Sequence, residues 1–293
     1  MQAMILAAGF GTRLLPHTLL RPKPLFPILN QPLLLLTIRH LQRLGCDHLI
    51  VNCHHLAGQI VELLDGMPGI TVLPEEKILG TGGGLRNALP LLRDEPLLVT
   101  NGDIYHGFDL RFLYERHVDT GYAVSLAIHD CPRFNTVEVA HGRVQAFAGA
   151  TGTCCRAFTG IHVIDPEILE GIAPQRPSCI IDRYRQLLAA DVAIAAVELE
   201  GYWTDMGTPA DYLALHGGLL TGAVPRWPEI GDVAGAPFLR GRQAELPFDL
   251  ICHDWCCVGD VEIGADVQLT RVVAWDGVRI AAGSRLTDVV LSS

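Results

Sequence analysis

The sequence predicts an α/β fold: a doubly wound, mostly parallel sheet, followed by a short parallel β-helix of hexapeptide type. Three observations carry this reading. Short apolar runs alternate with amphipathic stretches through the first half of the chain. Loops rich in glycine or ending in aspartate follow three of those runs. Near the end, small aliphatic residues recur at roughly every second or sixth position, with Gly264, Gly277 and Gly283 at turns.

In order, "AMILAA" reads as a buried strand leading into a glycine loop. "QPLLLLTIRHLQRLG" reads as a helix, with Pro32 near its start, Leu34, Ile38 and Leu41 on one face and Gly45 as terminator. "HLIVN" is a strand, "LAGQIVELL" a helix, "ITVL" a strand, "GGLRNALPLL" a helix, and "PLLVTNGD" a strand ending in a turn. "LRFLYERHV" and "YAVSLAI" continue the alternation, which is the pattern of a parallel sheet covered on both faces. In such sheets ligands sit at the carboxyl ends of the strands. From about residue 130 the pattern changes to a hairpin, "NTVEVA-HG-RVQAFAG", and a further strand, "AFTGIHVI". The expected division is a catalytic stretch 1–222, a Gly- and Pro-rich linker 223–249 and a repeat segment 250–293, with ordinary short strands as the alternative for the last.

The 293 residues, 49% hydrophobic and 18% charged, are ample for one large core with an appendage. A net charge of −10 argues against a nucleic-acid partner, which would need a basic face. It does not exclude anionic small molecules, which a few local donors and a divalent ion can hold. Met1 leads into "QAMILAAG" without a basic segment or cleavage site, and "PLLLLTI" is far short of a membrane span. With nine cysteines and no C-x-x-C spacing, the expectation is a chain of the reducing cytoplasm, without membrane association.

"AAGFGTR" lacks the third glycine of a dinucleotide fingerprint and the Gly-Lys-Ser/Thr of a P-loop. What remains is a glycine turn whose amides can approach phosphates, with Thr12 and Arg13 as further donors. Alone it would be a structural turn. Lys23, stiffened on both sides by Pro22 and Pro24, changes that reading toward a positioned charge on a loop. Asp103 ends "VTNGD" and Asp205 lies in "GYWTDMGTP", where Thr208 and Pro209 can begin a helix without it. Two strand-end carboxylates, a glycine cradle and a fixed lysine fit Mg²⁺ held between protein and triphosphate.

These residues resemble the sugar-1-phosphate nucleotidyltransferases. "LAAGFGTRLLPHTLLRPKPL" is similar to the family's signature loop. "LGTGGGL", "NGD", "FTGIHVI" and "YWTDMGTPADYLALH" resemble its later motifs in the right order. "TGGG", "ALPLL" and "NGDIY" look closest to the N-acetylmuramate-1-phosphate uridylyltransferases, and the tail to mannose-1-phosphate guanylyltransferases. The resemblance implies a Rossmann-like, GT-A-like fold with a short C-terminal left-handed parallel β-helix. It also implies Mg²⁺-dependent in-line attack of a sugar 1-phosphate on the α-phosphorus of a nucleoside triphosphate, releasing pyrophosphate. By position, Leu6, Ala7 and Gly9 would line the nucleotide, Gly11, Thr12 and Arg13 its phosphates, and Gly80, Thr81, Gly82 and Asn101 the rest of it. Lys23 would bridge the reacting phosphates, with Arg13, Lys23 and Asp103 catalytic. Asp103 and Asp205 would hold the metal, while Gly160, Lys23 and Glu138 would face the sugar. The chain departs from the family pattern at "QAFAGA", where an uncharged stretch replaces Glu-Lys-Pro, and at Glu75 and Glu76, where a glutamine is common. Both departures bear on base and sugar identity. The tail suggests a homo-oligomer. The alternatives are a non-catalytic regulatory or assembly subunit and a phosphocholine-type cytidylyltransferase.

"CHDWCC" (Cys252, His253, Cys256, Cys257) lacks standard zinc spacing and is read as structural, as are "CHH" at 53–55 and Cys154-Cys155.

Overall fold

The computed structural model describes residues 1–147 and 155–293. The end of "QAFAGA", from Ala148, and Cys154 lie outside the described residues. The chain forms two compact units: Met1–Phe10 with Leu41–Trp203, and Gly11–His40 with Thr204–Ser293.

The first unit is built on a nine-stranded sheet. Its strands run in the order Ile70–Pro74, His48–Cys53, Gln2–Leu6, Leu97–Asn101, Cys155–Ile164, Val124–His129, Ala195–Glu198, Arg143–Phe147, Asn135–Ala140. The first four are mutually parallel, as the βα alternation predicts. Beyond Leu97–Asn101 the sheet turns mainly antiparallel, so "mostly parallel" describes only its first half. The cause is local. The His141-Gly142 turn, both residues at positive φ, folds 135–147 into a hairpin, and a hairpin can only pair antiparallel. Asn135–Ala140 also pairs with Cys155–Ile164, closing the last five strands into a small barrel.

Helices cover the sheet where the sequence places them, including Ala57–Leu64 and Leu110–Thr120. Asp109 caps the latter by accepting from the Phe112 amide, and Gly121 ends it in the left-handed region. The "GTGGG" run is not a loop: it forms the first turn of a helix, Gly80–Ala88. The core of this unit joins Met4, Ile50, Leu97 and Val99 of the sheet to Leu85, Ile180, Tyr184 and Leu187 of the helices.

In the second unit, helix Pro209–Thr221 begins as its sequence requires, with the Thr208 hydroxyl accepting from the Asp211 amide and Pro209 in the first turn. Four strands, Phe238–Arg240, Ile251–Val258, Gln268–Ala274 and Arg285–Leu291, stack in parallel. Ile251 pairs with Gln268 and Gln268 with Arg285. Val258, Val267, Leu269, Val272 and Ala274 fill the interior of the stack. On its outside Asp254, Arg271 and Asp288, each at a φ between 51° and 58°, occupy successive rungs, and the Arg271 guanidinium bridges both carboxylates. Among the described residues no helix is long and apolar enough to cross a membrane.

Candidate active site

In the first unit, parallel pairing aligns Leu6 with Asn101, bringing two of the expected nucleotide residues to the carboxyl ends of adjacent strands. The Leu6 carbonyl accepts from the Gly102 amide at 2.8 Å, which fixes the turn that carries Asp103. Gly160 sits in a bulge of strand Cys155–Ile164 at φ +77°, and a Cβ there would lie 2.5 Å from the Asn101 amide nitrogen. Only glycine suits both the backbone angle and the approach. Asn101 and Gly160 are therefore neighbours. Gly9 faces open space.

Two side chains outside the motifs hold this arrangement. Asn52, at the end of strand His48–Cys53, accepts from the Ala7 amide through Oδ1 at 2.9 Å and donates through Nδ2 to Glu75 Oε1 at 2.7 Å. The second Glu75 oxygen accepts from the Leu79 amide at 2.9 Å, where helix Gly80–Ala88 begins. Ala7, Asn52, Glu75 and Leu79 thus form one chain of hydrogen bonds joining the opening strand's end to the "GTGGG" helix. Glu75 is 6% exposed and both its oxygens are engaged by protein donors. The Gly82 amide and Thr81 hydroxyl are likewise engaged, by the Ser178 carbonyl at 2.9 Å and the Ile180 amide at 3.0 Å. Glu138 is exposed and pairs opposite Cys155, five residues along the strand from Gly160, on the order of 15 Å of extended chain.

The second unit carries the cations. Gly11 has φ +63°, and a Cβ there would meet the Thr18 methyl at 2.8 Å, so the turn before Thr12 and Arg13 needs glycine. Lys23 is 6% exposed, and its Nζ donates to the Asp205 carbonyl at 2.8 Å. Arg13 reaches the Asp205 carboxylate at 3.4 Å, and the other carboxylate oxygen accepts from the Gly207 amide at 3.1 Å. The positioned charge read from the sequence is buried within the fold rather than presented at its surface. Arg13, Lys23 and Asp205 meet at one place, where two cations and a carboxylate can handle a phosphate. Asn52 gave no signal in the sequence beyond ending a strand, and Glu75 stood out only as a departure from a pattern. Nothing in the sequence announced the pairing of Arg13 and Lys23 with Asp205.

Residues 2–221 match the model of the Nucleotidyl transferase family. The chain is 31% identical over 294 residues to a mannose-1-phosphate guanylyltransferase of Mycobacterium tuberculosis, covering 96% of this chain and 81% of that protein. It is 30% identical to the mannose-1-phosphate guanylyltransferase catalytic subunit beta of Dictyostelium discoideum, across 78% of this chain and 67% of that one. Its fold is similar to that of HddC from Yersinia pseudotuberculosis, with a TM-score of 0.63 and 24% identity over 73% of this chain and 97% of the other. An apo UDP-glucose pyrophosphorylase shares the fold at a TM-score of 0.63 and 16% identity, over 76% of this chain and 99% of that one.

Proposed function

Because the chain belongs to the nucleotidyl transferase family, we propose that it condenses GTP with mannose 1-phosphate to give GDP-mannose and pyrophosphate. The reaction class is that of an NDP-sugar pyrophosphorylase. The choice of guanine and mannose is supported by the two relatives named above, both mannose-1-phosphate guanylyltransferases.

One observation carries the mechanism: the buried Lys23 ammonium and the Arg13 guanidinium converge on Asp205. In-line transfer asks little of a protein beyond holding the reactants and neutralising charge, and two aimed cations do both. Gly11, Thr12 and Arg13 would take the triphosphate's β- and γ-oxygens. Lys23 would lie between the α-phosphate and the incoming sugar phosphate. Leu6, Ala7, Gly9, Gly80, Thr81, Gly82 and Asn101 are proposed for the nucleoside, and Gly160 and Glu138 for the sugar.

The family implies a divalent ion. Asp103 and Asp205 offer hard carboxylate oxygens of the kind that suits Mg²⁺, and the Asp205 carboxylate is already oriented by Gly207 and Arg13. When bound, Mg²⁺ would neutralise charge on the triphosphate. We read the C-terminal stack as a left-handed parallel β-helix of hexapeptide type. Its 17-residue step, as between Arg271 and Asp288, is close to three hexapeptides. The boundaries 1–222, 223–249 and 250–293, a cytoplasmic location and a homo-oligomer assembled through the tail belong to the same proposal.

Pyrophosphate release across GTP, UTP, dTTP and CTP, each with mannose 1-phosphate and N-acetylmuramate 1-phosphate, tests it. The GTP and mannose pair should lead; a UTP and N-acetylmuramate optimum would replace this assignment, and no turnover with any pair would favour a non-catalytic subunit.

A further inference from the structure

We infer that the C-terminal strand stack is the seat of the signature loop, and that Trp275 and Ser292 are positioning residues for the transfer reaction. The inference rests on the functional reading of Arg13 and Lys23 given above.

The loop has little regular structure of its own. Between Gly11 and Phe26 it contains three short turns, Thr12–Leu14, His17–Leu19 and Lys23–Leu25, each of three residues. Their backbone bonds are local to each turn, so packing from outside helps to hold the turns relative to one another. The packing comes from one edge of the stack. Ala274 pairs in register with both Val258 and Leu291, so the carboxyl ends of three successive strands lie side by side, about 4.8 Å apart.

Each end takes one piece of the loop or of the turn that follows it. The Val258 carbonyl accepts from the Asn30 side chain at 2.9 Å. Trp275, directly after the middle strand and 2% exposed, carries three loop side chains. The Phe26 ring meets it edge-on at 4.7 Å, the Arg21 guanidinium lies 5.0 Å from the ring centre, and the His17 ring stands at 5.8 Å. The Trp275 indole N–H donates to the Tyr212 oxygen at 3.2 Å, and the Tyr212 hydroxyl in turn donates to the Pro27 carbonyl. Ser292, directly after the last strand, is 2.8 Å from His17 Nδ1. Burial holds the His17 imidazole below its usual pKa, so it is neutral near pH 7 and suits a hydroxyl partner.

Lys23 lies in the loop between Arg21 and Phe26, both seated on Trp275. A displacement of the indole therefore reaches the ammonium through one residue on one side and two on the other. Misplacement of a reacting group by about 1 Å can cost a hundredfold in rate. Burial of Trp275 alone would be satisfied by any well-packed core. The contact between Ser292 and His17 is polar and only half-buried, adds little to folding, and so separates positioning from packing.

The test uses the full chain. Ser292→Ala should lower kcat/KM roughly three- to tenfold with an unchanged melting temperature, and Ser292→Thr should restore it. His17→Ala should show the same loss, and the double variant should be no worse than either single. Trp275→Phe, which keeps a ring under Phe26 and Arg21 but loses the bond to Tyr212, should fall between the wild type and Trp275→Leu. Calorimetric titration with GTP reads the loop without turnover. It keeps the seat testable even if no sugar phosphate is turned over, an outcome that would count against the activity instead. Wild-type kcat/KM and GTP affinity in Ser292→Ala would overturn the inference, as would losses from His17→Ala and Ser292→Ala that simply multiply.

Discussion

Lys23 Nζ donates to the main-chain carbonyl of Asp205 at 2.8 Å, across 182 residues of sequence. The bond fixes the ammonium within the fold, so the entropy of ordering a long side chain is spent in folding.

Lys23→Ala should therefore do two things. Turnover should fall a hundredfold or more, about 3 kcal/mol of barrier, if the ammonium bridges the reacting phosphates. The melting temperature should also drop, because Lys23 is 6% exposed and its removal leaves a hole and an unpaired carbonyl. Lys23→Met, which keeps the stem, should recover most of the stability and none of the rate. Pyrophosphate release and thermal unfolding of both variants measure this; normal turnover in either removes Lys23 from the chemistry.

Asp205→Asn can keep its bond from the Gly207 amide while losing the charge beside Arg13. We expect an unchanged fold, a higher Mg²⁺ requirement and a lower maximal rate. Asp103→Asn should behave alike if it serves the proposed ion. A Mg²⁺ titration of the wild type and both variants decides. A single variant with the wild-type requirement and rate would be only a turn former.

Removing Asn52 strands two buried groups, the Ala7 amide and a Glu75 oxygen. Asn52→Ala should cost about 1–3 kcal/mol of stability and raise KM for the nucleoside triphosphate more than for the sugar phosphate. Denaturant unfolding together with the two KM values checks it. Equal changes in both KM values would make Asn52 a fold residue only.

Two buried histidines set the acid limit. His216 Nε2 accepts from the Leu29 amide at 3.3 Å and Nδ1 faces the Tyr212 carbonyl at 3.0 Å, so only the neutral ring fits, and burial lowers its pKa to about 4. His162, fully buried, is lowered by burial to about 3. Both folded values lie below the unfolded value near 6.5. Their stability contribution is thus complete above pH 6.5 and is lost as pH falls toward 4, by ~3 kcal/mol for His216. His216→Gln, which can serve the same two partners without titrating, should flatten the fall in melting temperature between about pH 6.5 and 4.5. An unaltered slope would place the acid sensitivity elsewhere.

Much of this was legible because it is local. The glycine turn, the proline-flanked lysine and the Thr208-Pro209 helix start each declare themselves within a few residues. The strand and helix alternation gave the parallel half of the sheet. The rest depends on partners that composition cannot announce. Asn52 and Glu75 are 23 residues apart and look like a strand end and a surface acid until their hydrogen bond is seen. The barrel depends on one tight turn at His141-Gly142 redirecting the chain. Burial of Lys23 depends on Asp205, and the packing of Arg21 and Phe26 on Trp275 joins residues far apart in sequence.

The make-up of the second unit, Gly11–His40 with Thr204–Ser293, has a consequence for biosynthesis. The segment that carries Arg13 and Lys23 leaves the ribosome well ahead of its supports at Val258, Trp275 and Ser292. At roughly 5–20 residues per second the interval is on the order of tens of seconds. During it, strands Gln2–Leu6 through Ala195–Glu198 are all available to pair, while the nascent signature loop has nothing to rest on. The seat of the loop is thus completed only after every strand of the sheet has been made, so the two units differ in when their packing can close.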